Sequence, residues 1–248
     1  MKEHITYVLV CIVLLITAFY MMRYPTYLNR KSLLSVLKDT DYLNTLKQTD
    51  LSVRNVKSVD EYVDKMIRPS VSNPNFLEKM RLYWLTTLVD MKVVLQFKKT
   101  SYFNPKKLAI IPWKIGIVDG LLYEEGLSHT RNGVIILSRE TLQTSSNNEL
   151  LKTLLHEKVH VYQFLYKDDI QNYLSSKGMK IIGKRSAKIR ANPDTDEHIY
   201  MDSSGTRYMA TYTSNPTSIS DVNYAVGTSQ FYEHPFESMA IEIQNKLK

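Results

Sequence analysis

The longest uninterrupted apolar stretch of the chain lies at its N-terminus. Residues 5–22 contain no charged side chain, and about 18 apolar residues are enough to cross the hydrocarbon core of a bilayer as a helix. Tyr7, Tyr20 and Tyr24 lie near its ends, where amphipathic rings favour the membrane interface. The run also lacks the small-residue cleavage site of a good secretory signal peptide. The pattern predicts a retained transmembrane anchor at 5–22, preceded by a short tail at 1–4.

A juxtamembrane linker is predicted at 23–31, and a helical region packed on the core follows at 32–100. Apolar residues at helical spacing predict a helix or helix pair over 32–48, and Ser58 suits the N-cap of a short helix that Pro69 would end. A longer helix is predicted over 75–97, and we expect it to be deeply buried. The apolar side chains behind this expectation are Leu77, Met80, Leu82, Trp84, Leu85, Leu88, Val89, Val93 and Leu95.

From residue 108 onward the pattern changes to short β-type runs separated by turns. Strands are predicted at 108–111, 114–118 and 133–138, because Pro112, Asp119-Gly120 and Asn132-Gly133 bound them. Further along, the pattern predicts a helix over 168–179 and short strands at 180–182 and 206–213. Helices and strands of this kind predict an α+β fold, with residues 101–248 as one domain.

Residues with metal-binding chemistry lie within a predicted helix over 148–164. Its apolar positions are three and four apart, Asn147 or Asn148 suits the N-cap, and it contains the run His156-Glu157-Lys158-Val159-His160. Residues four apart on a helix lie one turn above each other, so both imidazoles can reach one ion. Glu157 can then point at a water bound to that ion. The sequence predicts a zinc site with His156 and His160 as ligands and Glu157 as general base.

A third ligand is expected from a later helix. Catalytic zinc sites usually take three protein ligands and leave one position for water. Residues 234–243 predict a helix with Pro235 at its first position and an apolar stripe that Glu237 borders. Glu237 is therefore the first candidate for the third ligand. His234, which also suits the helix cap, is the second, and Glu233 is the third.

The strand at 133–138 is a candidate for substrate binding, because it comes shortly before the metal helix. A peptide could pair with it by strand addition. His129 and Arg131 would then border the groove, and ordinary loop roles are the alternative for both. Three acidic residues between the two halves of the site could orient a ligand histidine by hydrogen bonding. These candidates are Asp194, Asp196 and Asp202.

The motifs resemble those of gluzincin-type zinc metallopeptidases. In that group a glutamate in a Glu-x-x-Ala or Glu-x-x-Asp helix supplies the third ligand, and the run 233–240 of this chain is similar to it. Over about residues 108–245 the chain also resembles the membrane-linked metallopeptidases encoded by large nucleocytoplasmic DNA viruses. The blocks that carry this narrower resemblance are Pro112-Trp113-Lys114-Ile115-Gly116, Gly126-Leu127-Ser128-His129-Thr130-Arg131, Leu155-His156-Glu157-Lys158-Val159-His160-Val161-Tyr162-Gln163 and Ala191-Asn192-Pro193-Asp194.

The resemblance implies a zincin-like catalytic domain, in which a small mixed sheet accompanies the HExxH helix and the C-terminal Glu helix. It implies His156, His160 and Glu237 as zinc ligands and Glu157 as general base. Gluzincins commonly use a Tyr or His to stabilise the oxyanion of the tetrahedral intermediate, and here several candidates stay open. They are Tyr208, Tyr212, Tyr224, Arg207 and His198.

Charge and cysteine content bear on partners and compartment. The chain has 32 basic and 25 acidic residues, a net charge of +7. The basic residues are scattered, and attraction to an anionic membrane surface explains the excess as well as nucleic acid does. Basic residues such as Arg30 and Lys31 follow the anchor, and the single cysteine, Cys11, cannot form a disulfide within the chain. Both features predict that the catalytic domain faces the cytoplasm. The resemblance to the viral metallopeptidases implies the inside of a virion as the alternative.

The leading hypothesis is a membrane-anchored, zinc-dependent endopeptidase. It would hydrolyse protein or peptide substrates through a zinc-activated water, with Glu157 as base. The alternative is a catalytically weak, zinc-stabilised membrane scaffold or interaction protein. A protease acting on nucleic-acid-bound proteins fits the positive charge but not the membrane anchor, so nucleic acid is not an expected partner.

Overall fold

The computed structural model describes residues 24–247, and these residues form an α+β fold. Its principal sheet has the strand order β1-β3-β5-β4, and β2 also pairs with β3. The strands of this sheet are β1 (Thr26–Tyr27), β2 (Val71–Ser72), β3 (Lys114–Val118), β4 (His129–Arg131) and β5 (Val134–Ser138). β3 is parallel to β1 and β5, whereas β2 and β4 run antiparallel to their neighbours. β5 is buried along its whole length, as its unbroken apolar run predicts for an interior strand.

Two smaller sheets lie later in the chain. One contains β6 (Lys180–Lys184), β7 (His198–Met201) and β8 (Arg207–Tyr208), and the other pairs β9 (Ala210–Tyr212) with β10 (Val222–Tyr224). All neighbouring strands in these two sheets are antiparallel.

Helices surround the principal sheet. In chain order they are α1 (Arg30–Leu37), α2 (Thr40–Leu43), α3 (Gln48–Val53), α4 (Val59–Tyr62), α5 (Arg68–Ser70), α6 (Phe76–Gln96), α7 (Pro105–Ile110), α8 (Arg139–Thr144), α9 (Asn147–Leu165), α10 (Lys167–Ser176) and α11 (Pro235–Gln244). A π-helical turn at Val63–Ile67 joins α4 to α5. In the larger core, apolar side chains of α6, α9 and α11 pack together with those of β3 and β5.

Several predicted elements are confirmed within a few residues. The strands at 114–118 and 133–138 are β3 and β5, and the helices over 148–164 and 75–97 are α9 and α6. Ser58 caps α4 as predicted, because its hydroxyl accepts from the Glu61 amide.

Other predictions were wrong. Residues 108–111 belong largely to α7 rather than to a strand, since the Asn104 side chain caps Lys106 and Lys107 amides and Pro105 holds the first helical position. Pro69 does not end the helix after Ser58, because helical backbone continues through Ser70 and becomes extended only at Val71. The segment 23–31 is also more than a linker, since it contains β1 and the beginning of α1.

The expected deep burial of α6 holds for one face only. Leu82, Leu85, Val89 and Val93 are buried against the core. The opposite face has no described element packed over it, and its apolar side chains are exposed, with Trp84 65% accessible.

The strand over 133–138 has no free edge for a peptide, since β5 lies between β3 and β4. The edge strand beside it is β4, whose Thr130 amide donates to the Asp194 carboxylate at 2.5 Å.

No helix within residues 24–247 has both the length and the apolar character needed to cross a bilayer. The tail at 1–4 and the anchor predicted at 5–22 lie outside the described residues.

Candidate metal centre

Helix α9 carries both histidines of the motif, and its start is fixed locally. Ser146 is the N-cap: its hydroxyl accepts from the Glu149 amide at 3.3 Å, and the Glu149 carboxylate accepts from the Ser146 amide at 2.8 Å. This reciprocal capping box makes Ser146 the N-cap, so the predicted cap at Asn147 or Asn148 was wrong by one or two residues. Because the helix is regular, His156 and His160 lie one turn apart on the same face.

Helix α11 brings Glu237 to the two imidazoles. His156 Nε2 lies 3.0 Å from His160 Nε2 and 3.2 Å from Glu237 Oε2. His160 Nε2 lies 3.6 Å from Glu237 Oε1. Ligand atoms at roughly 2.0–2.2 Å from a tetrahedral zinc ion are roughly 3.3–3.6 Å apart, so this spacing suits one ion. Among the described residues, these are the His, Cys, Asp and Glu side chains that cluster closely enough to share a metal.

Hydrogen bonds to the other ring nitrogen fix the tautomer of each histidine. His156 Nδ1 lies 2.9 Å from Gln244 Oε1, and His160 Nδ1 lies 2.9 Å from Gln163 Oε1. The Gln163 amide nitrogen donates to the Phe236 carbonyl, which turns its oxygen toward His160. A glutamine oxygen can only accept, so each Nδ1 carries the proton. When the two rings are neutral, each Nε2 therefore carries a lone pair. Both Nε2 atoms lie beside the Glu237 carboxylate, so the three groups can share one ion.

Amide side chains also hold Glu237 in position. Asn192 donates to Oε1 at 2.8 Å, and Gln230 donates to Oε2 at 3.2 Å. Sequence reasoning missed Asn192, Gln163, Gln230 and Gln244, because an isolated Asn or Gln has no spacing signature. Asn192 belongs to the block at 191–194 and Gln163 to the block at 155–163, and these blocks were the one available signal for the two residues.

Glu157 faces the same site from the next helical position. Its side chain is 3% exposed, and the Thr130 hydroxyl donates to Oε2 at 3.2 Å. Burial, reinforced by the nearby Glu237 charge and opposed by His160, raises the pKa of Glu157 to about 7. His156 and Glu157 line a cavity of about 490 Å³, which has room for part of a peptide.

The charges of the site favour a cation at its centre. Burial opposes a charged His160 ring, but the carboxylates of Asp194 and Glu237 outweigh it and raise the His160 pKa to about 9. Burial likewise opposes a charged Glu237, yet the two histidines hold its pKa well below the usual range. Burial raises the pKa of Asp194 far above that of an ordinary aspartate, and Glu157 and Glu237 add to the effect. These pKa shifts arise because buried acidic groups lie close together and are stabilised by a nearby positive charge.

The other candidates for the third ligand have different partners. Glu233 forms an ion pair with Arg190 at 2.5 Å. His234 is the N-cap of α11, since its Nδ1 accepts from the Phe236 amide, and its Nε2 lies 3.2 Å from Asp196. The cap alternative given for His234 is thus confirmed.

None of the three aspartates proposed to orient a ligand histidine hydrogen-bonds to His156 or His160. Asp194 accepts from the Thr130 amide, Asp196 contacts His234, and Asp202 bonds within its own turn to Ser204 and Thr206. Glutamines perform that task instead.

The five oxyanion candidates occupy different places. Tyr224, on β10, lines the cavity at His156 and Glu157. Tyr208 donates to Asp202 and Tyr212 donates to the buried Asp50, so both hydroxyls are engaged away from the cavity. His198 lies beside Asp196 at 3.2 Å, and Arg207 is an exposed residue of β8.

His129 and Arg131 are buried residues of β4 rather than loop residues. His129 lines the cavity, but its ring nitrogens are engaged by the Tyr123 hydroxyl and the Leu127 carbonyl, each at 3.0 Å. Arg131 lies over the Tyr42 ring.

Comparisons of the chain with family models, with curated proteins and with solved structures gave no match.

Proposed function

We propose that this chain is a zinc-dependent endopeptidase with a zincin-like catalytic domain, anchored in a membrane by residues 5–22. The observation that carries the proposal is the convergence of two imidazole Nε2 atoms and one carboxylate at a single point. The residues that would hold zinc are His156, His160 and Glu237. This set of two nitrogens and one carboxylate oxygen suits zinc, and both rings are held in the tautomer that metal binding requires.

The chemistry follows from the groups around that point. Bound zinc supplies a Lewis acid that acidifies water and polarises a carbonyl. Glu157 accepts the proton of the attacking water and passes it to the leaving amine. Its raised pKa, about 7, suits a group that must both take and release a proton near neutrality. The Thr130 hydroxyl lies 3.2 Å from Glu157 Oε2 and 3.2 Å from the Glu157 carbonyl oxygen, so it can donate to either.

Two further parts of the proposal concern the substrate and the membrane. Tyr224 is the residue we assign to the oxyanion, because it lines the cavity together with His156. The membrane part rests on the uncharged run at 5–22 and on the basic residues that follow it, which favour a catalytic domain on the cytoplasmic side. The resemblance to viral metallopeptidases makes the inside of a virion the alternative.

The test uses the full chain in detergent micelles or lipid nanodiscs. We expect one zinc per chain by elemental analysis and cleavage of unstructured protein substrates. Glu157→Gln should keep the zinc and lose activity by roughly 10²–10⁴-fold, since it removes only proton transfer. His156→Ala and Glu237→Ala should lose the zinc itself.

Glu140→Gln is the matched control, because Glu140 is an exposed glutamate on the neighbouring helix α8 and should leave both readouts unchanged. Undiminished cleavage by Glu157→Gln would remove Glu157 from the mechanism, and a chain that binds no zinc would refute the proposal. Stoichiometric zinc without cleavage of any substrate would favour the zinc-stabilised membrane scaffold.

A further inference from the structure

One face of α6 is apolar and exposed. Leu77, Trp84 and Leu95 are 76%, 65% and 77% accessible. This outer face is formed by Phe76, Leu77, Met80, Trp84, Met91, Val94 and Leu95. At 100° per residue these side chains fall on the side of the helix opposite the buried Leu82 and Val89.

An apolar face of this extent needs an apolar partner. Helix α6 has 21 residues, so it is about 31 Å long, and its outer face extends over nearly all of that length. Helix α6 carries apolar side chains on two opposite faces, and the described residues cover only one of them. Contiguous exposed apolar surface of this kind marks an interaction site.

The N-terminal chain reaches α6 at the edge of this face. The Tyr24 ring stacks on the Tyr83 ring of α6, with centroids 5.2 Å apart. Tyr27, on β1, donates to the Lys79 carbonyl of the same helix at 2.8 Å. The Thr26 amide donates to the Trp113 carbonyl at 2.8 Å, so the chain after Tyr24 is held to the principal sheet through β1.

The apolar run at 5–22 ends two residues before Tyr24. Two residues span at most about 7 Å. A segment that leaves the bilayer at residue 22 therefore has no room to separate α6 from the membrane surface. Because the Tyr24 ring stacks on the Tyr83 ring, the edge of the outer face at Tyr83 stays close to the point where the chain would enter the bilayer.

We propose that the outer face of α6 lies on the lipid bilayer that residues 5–22 enter. The proposal rests on the membrane anchoring proposed above and is independent of the zinc chemistry. α6 then lies in the plane of the interface, with its apolar side chains among the acyl chains, as surface-bound amphipathic helices do. Trp84, Tyr83 and Tyr24 supply aromatic rings of the kind that favour the membrane interface. The exposed Lys98 and Lys99 directly after α6 suit lipid phosphates.

This arrangement also orients the candidate metal centre. Lys158 of α9 points at Asp90 of α6, whereas His156 and His160 point at α11. α9 therefore stands between α6 and the metal centre. The site would be held on the order of 20 Å above the bilayer surface, given usual helix packing distances.

The two tryptophans of the chain allow a direct test. Trp84 lies on the outer face, whereas Trp113 is 3% exposed and bonded to Asp90. We would reconstitute the full chain in phosphatidylcholine vesicles with brominated acyl chains, which quench nearby indoles, and compare it with Trp84→Phe. Wild-type emission should lose the Trp84 contribution in brominated vesicles and fall to the level of Trp84→Phe. The variant, which keeps only Trp113, should show the same emission in brominated and ordinary vesicles.

Other outcomes would overturn the proposal. Quenching of Trp84 by aqueous acrylamide, with none by bromine, would show that the face is in water. Protection from both quenchers would show that protein covers it, either residues 5–22 or a second copy of the chain. Flotation of the same vesicles in alkaline carbonate separates the two membrane claims. Protein that fails to float refutes the anchor, whereas protein that floats with Trp84 in water refutes only the proposal for α6.

Discussion

At the scale of single residues, the motif on α9 faces two environments. His156, Glu157 and His160 face the candidate metal centre, whereas Lys158 between them points into the core. Its ammonium lies 2.5 Å from the Asp90 carboxylate and 4.2 Å from the centroid of the Trp113 ring, and both charged side chains are almost fully buried. A buried lysine of this kind is retained only when an anion faces it.

Lys158→Met should destabilise the protein by about 3–5 kcal/mol, because it removes the cation that the buried Asp90 carboxylate faces. Lys158→Met combined with Asp90→Asn should be more stable than Lys158→Met alone, since the amide still accepts from Trp113 and carries no charge. Urea denaturation of both variants measures the difference. If the double variant is the less stable one, the buried charge is not the cause of the loss.

His129 makes stability depend on pH. Burial lowers its pKa from 6.5 to about 4, against the opposing pull of Glu124. The unfolded chain binds a proton at this residue below about pH 6.5, whereas the folded protein binds one only below about pH 4. Stability is therefore lost as the pH falls through this window, by about 2 kcal/mol between pH 7 and pH 5 from this residue alone.

His129→Gln should reduce that pH dependence. The measurement is the free energy of unfolding of the chelator-treated protein at both pH values, for the wild type and for the variant. Equal slopes in the two proteins would mean that other groups carry the acid sensitivity.

At the scale of elements, helix α1 packs closely against β3. Gly116 of β3 faces Leu33 of α1, and a Cβ at position 116 would overlap Leu33 Cδ1 and lie 3.3 Å from Ile136 Cδ1. The approach of helix to sheet thus depends on a missing side chain, as it often does for a glycine within a strand.

Gly116→Ala should destabilise the protein by about 1–3 kcal/mol, because the buried Leu33 has little space into which it can move. Gly183→Ala is the control: it also lies in a strand, β6, but nothing lies within 4 Å of its added Cβ. That change should be neutral or stabilise by up to about 1 kcal/mol. Chemical denaturation compares the two, and similar losses would point to backbone effects rather than to contact with Leu33.

At the scale of the whole molecule, residues before 100 are tied into the later part of the chain. β1 and β2 belong to the same sheet as β3, and Arg54 pairs with Glu124 in the interior. Asp50, fully buried on α3, accepts from Arg185 at 2.7 Å, from the Ala191 amide at 2.9 Å and from the Tyr212 hydroxyl at 3.0 Å. Ala191 directly precedes Asn192, which holds Glu237, so the helical region supports the candidate metal centre.

Asp50→Ala should destabilise the protein by about 3–5 kcal/mol, because it leaves the buried Arg185 without this carboxylate. It should also weaken zinc binding by roughly tenfold, through the loosened hold of Asn192 on Glu237. Asp64→Ala is the comparison, since its ion pair with Arg68 is exposed and contributes less than about 1 kcal/mol. Denaturation and a competitive zinc titration test both parts, and unchanged zinc affinity in Asp50→Ala would contradict the second.

The local features of this protein follow from the order of its amino acids alone. The spacing of apolar residues located α6, α9 and α11, and a pair of histidines four apart on one helix needs nothing beyond helical geometry to converge. Pro235 and Ser58 marked helix starts for equally local reasons. Where two local signals disagreed, as at 108–111, the cap at Asn104 outweighed an apolar run that also suits a strand.

Which distant groups meet depends on how the helices and sheets pack together. Glu237, His234 and Glu233 are neighbours in the chain, and the packing of α11 on α9 turned the first toward the histidines, the second to the helix cap and the third to Arg190. Because of the same packing, glutamines rather than the expected aspartates hydrogen-bond to the imidazole rings of His156 and His160. The outer face of α6 is also exposed among the described residues. The sequence did not predict this, because the spacing of apolar residues shows how apolar a helix is and not which elements cover it. Contacts between residues far apart in the chain depend on the whole fold, and no local pattern encodes them.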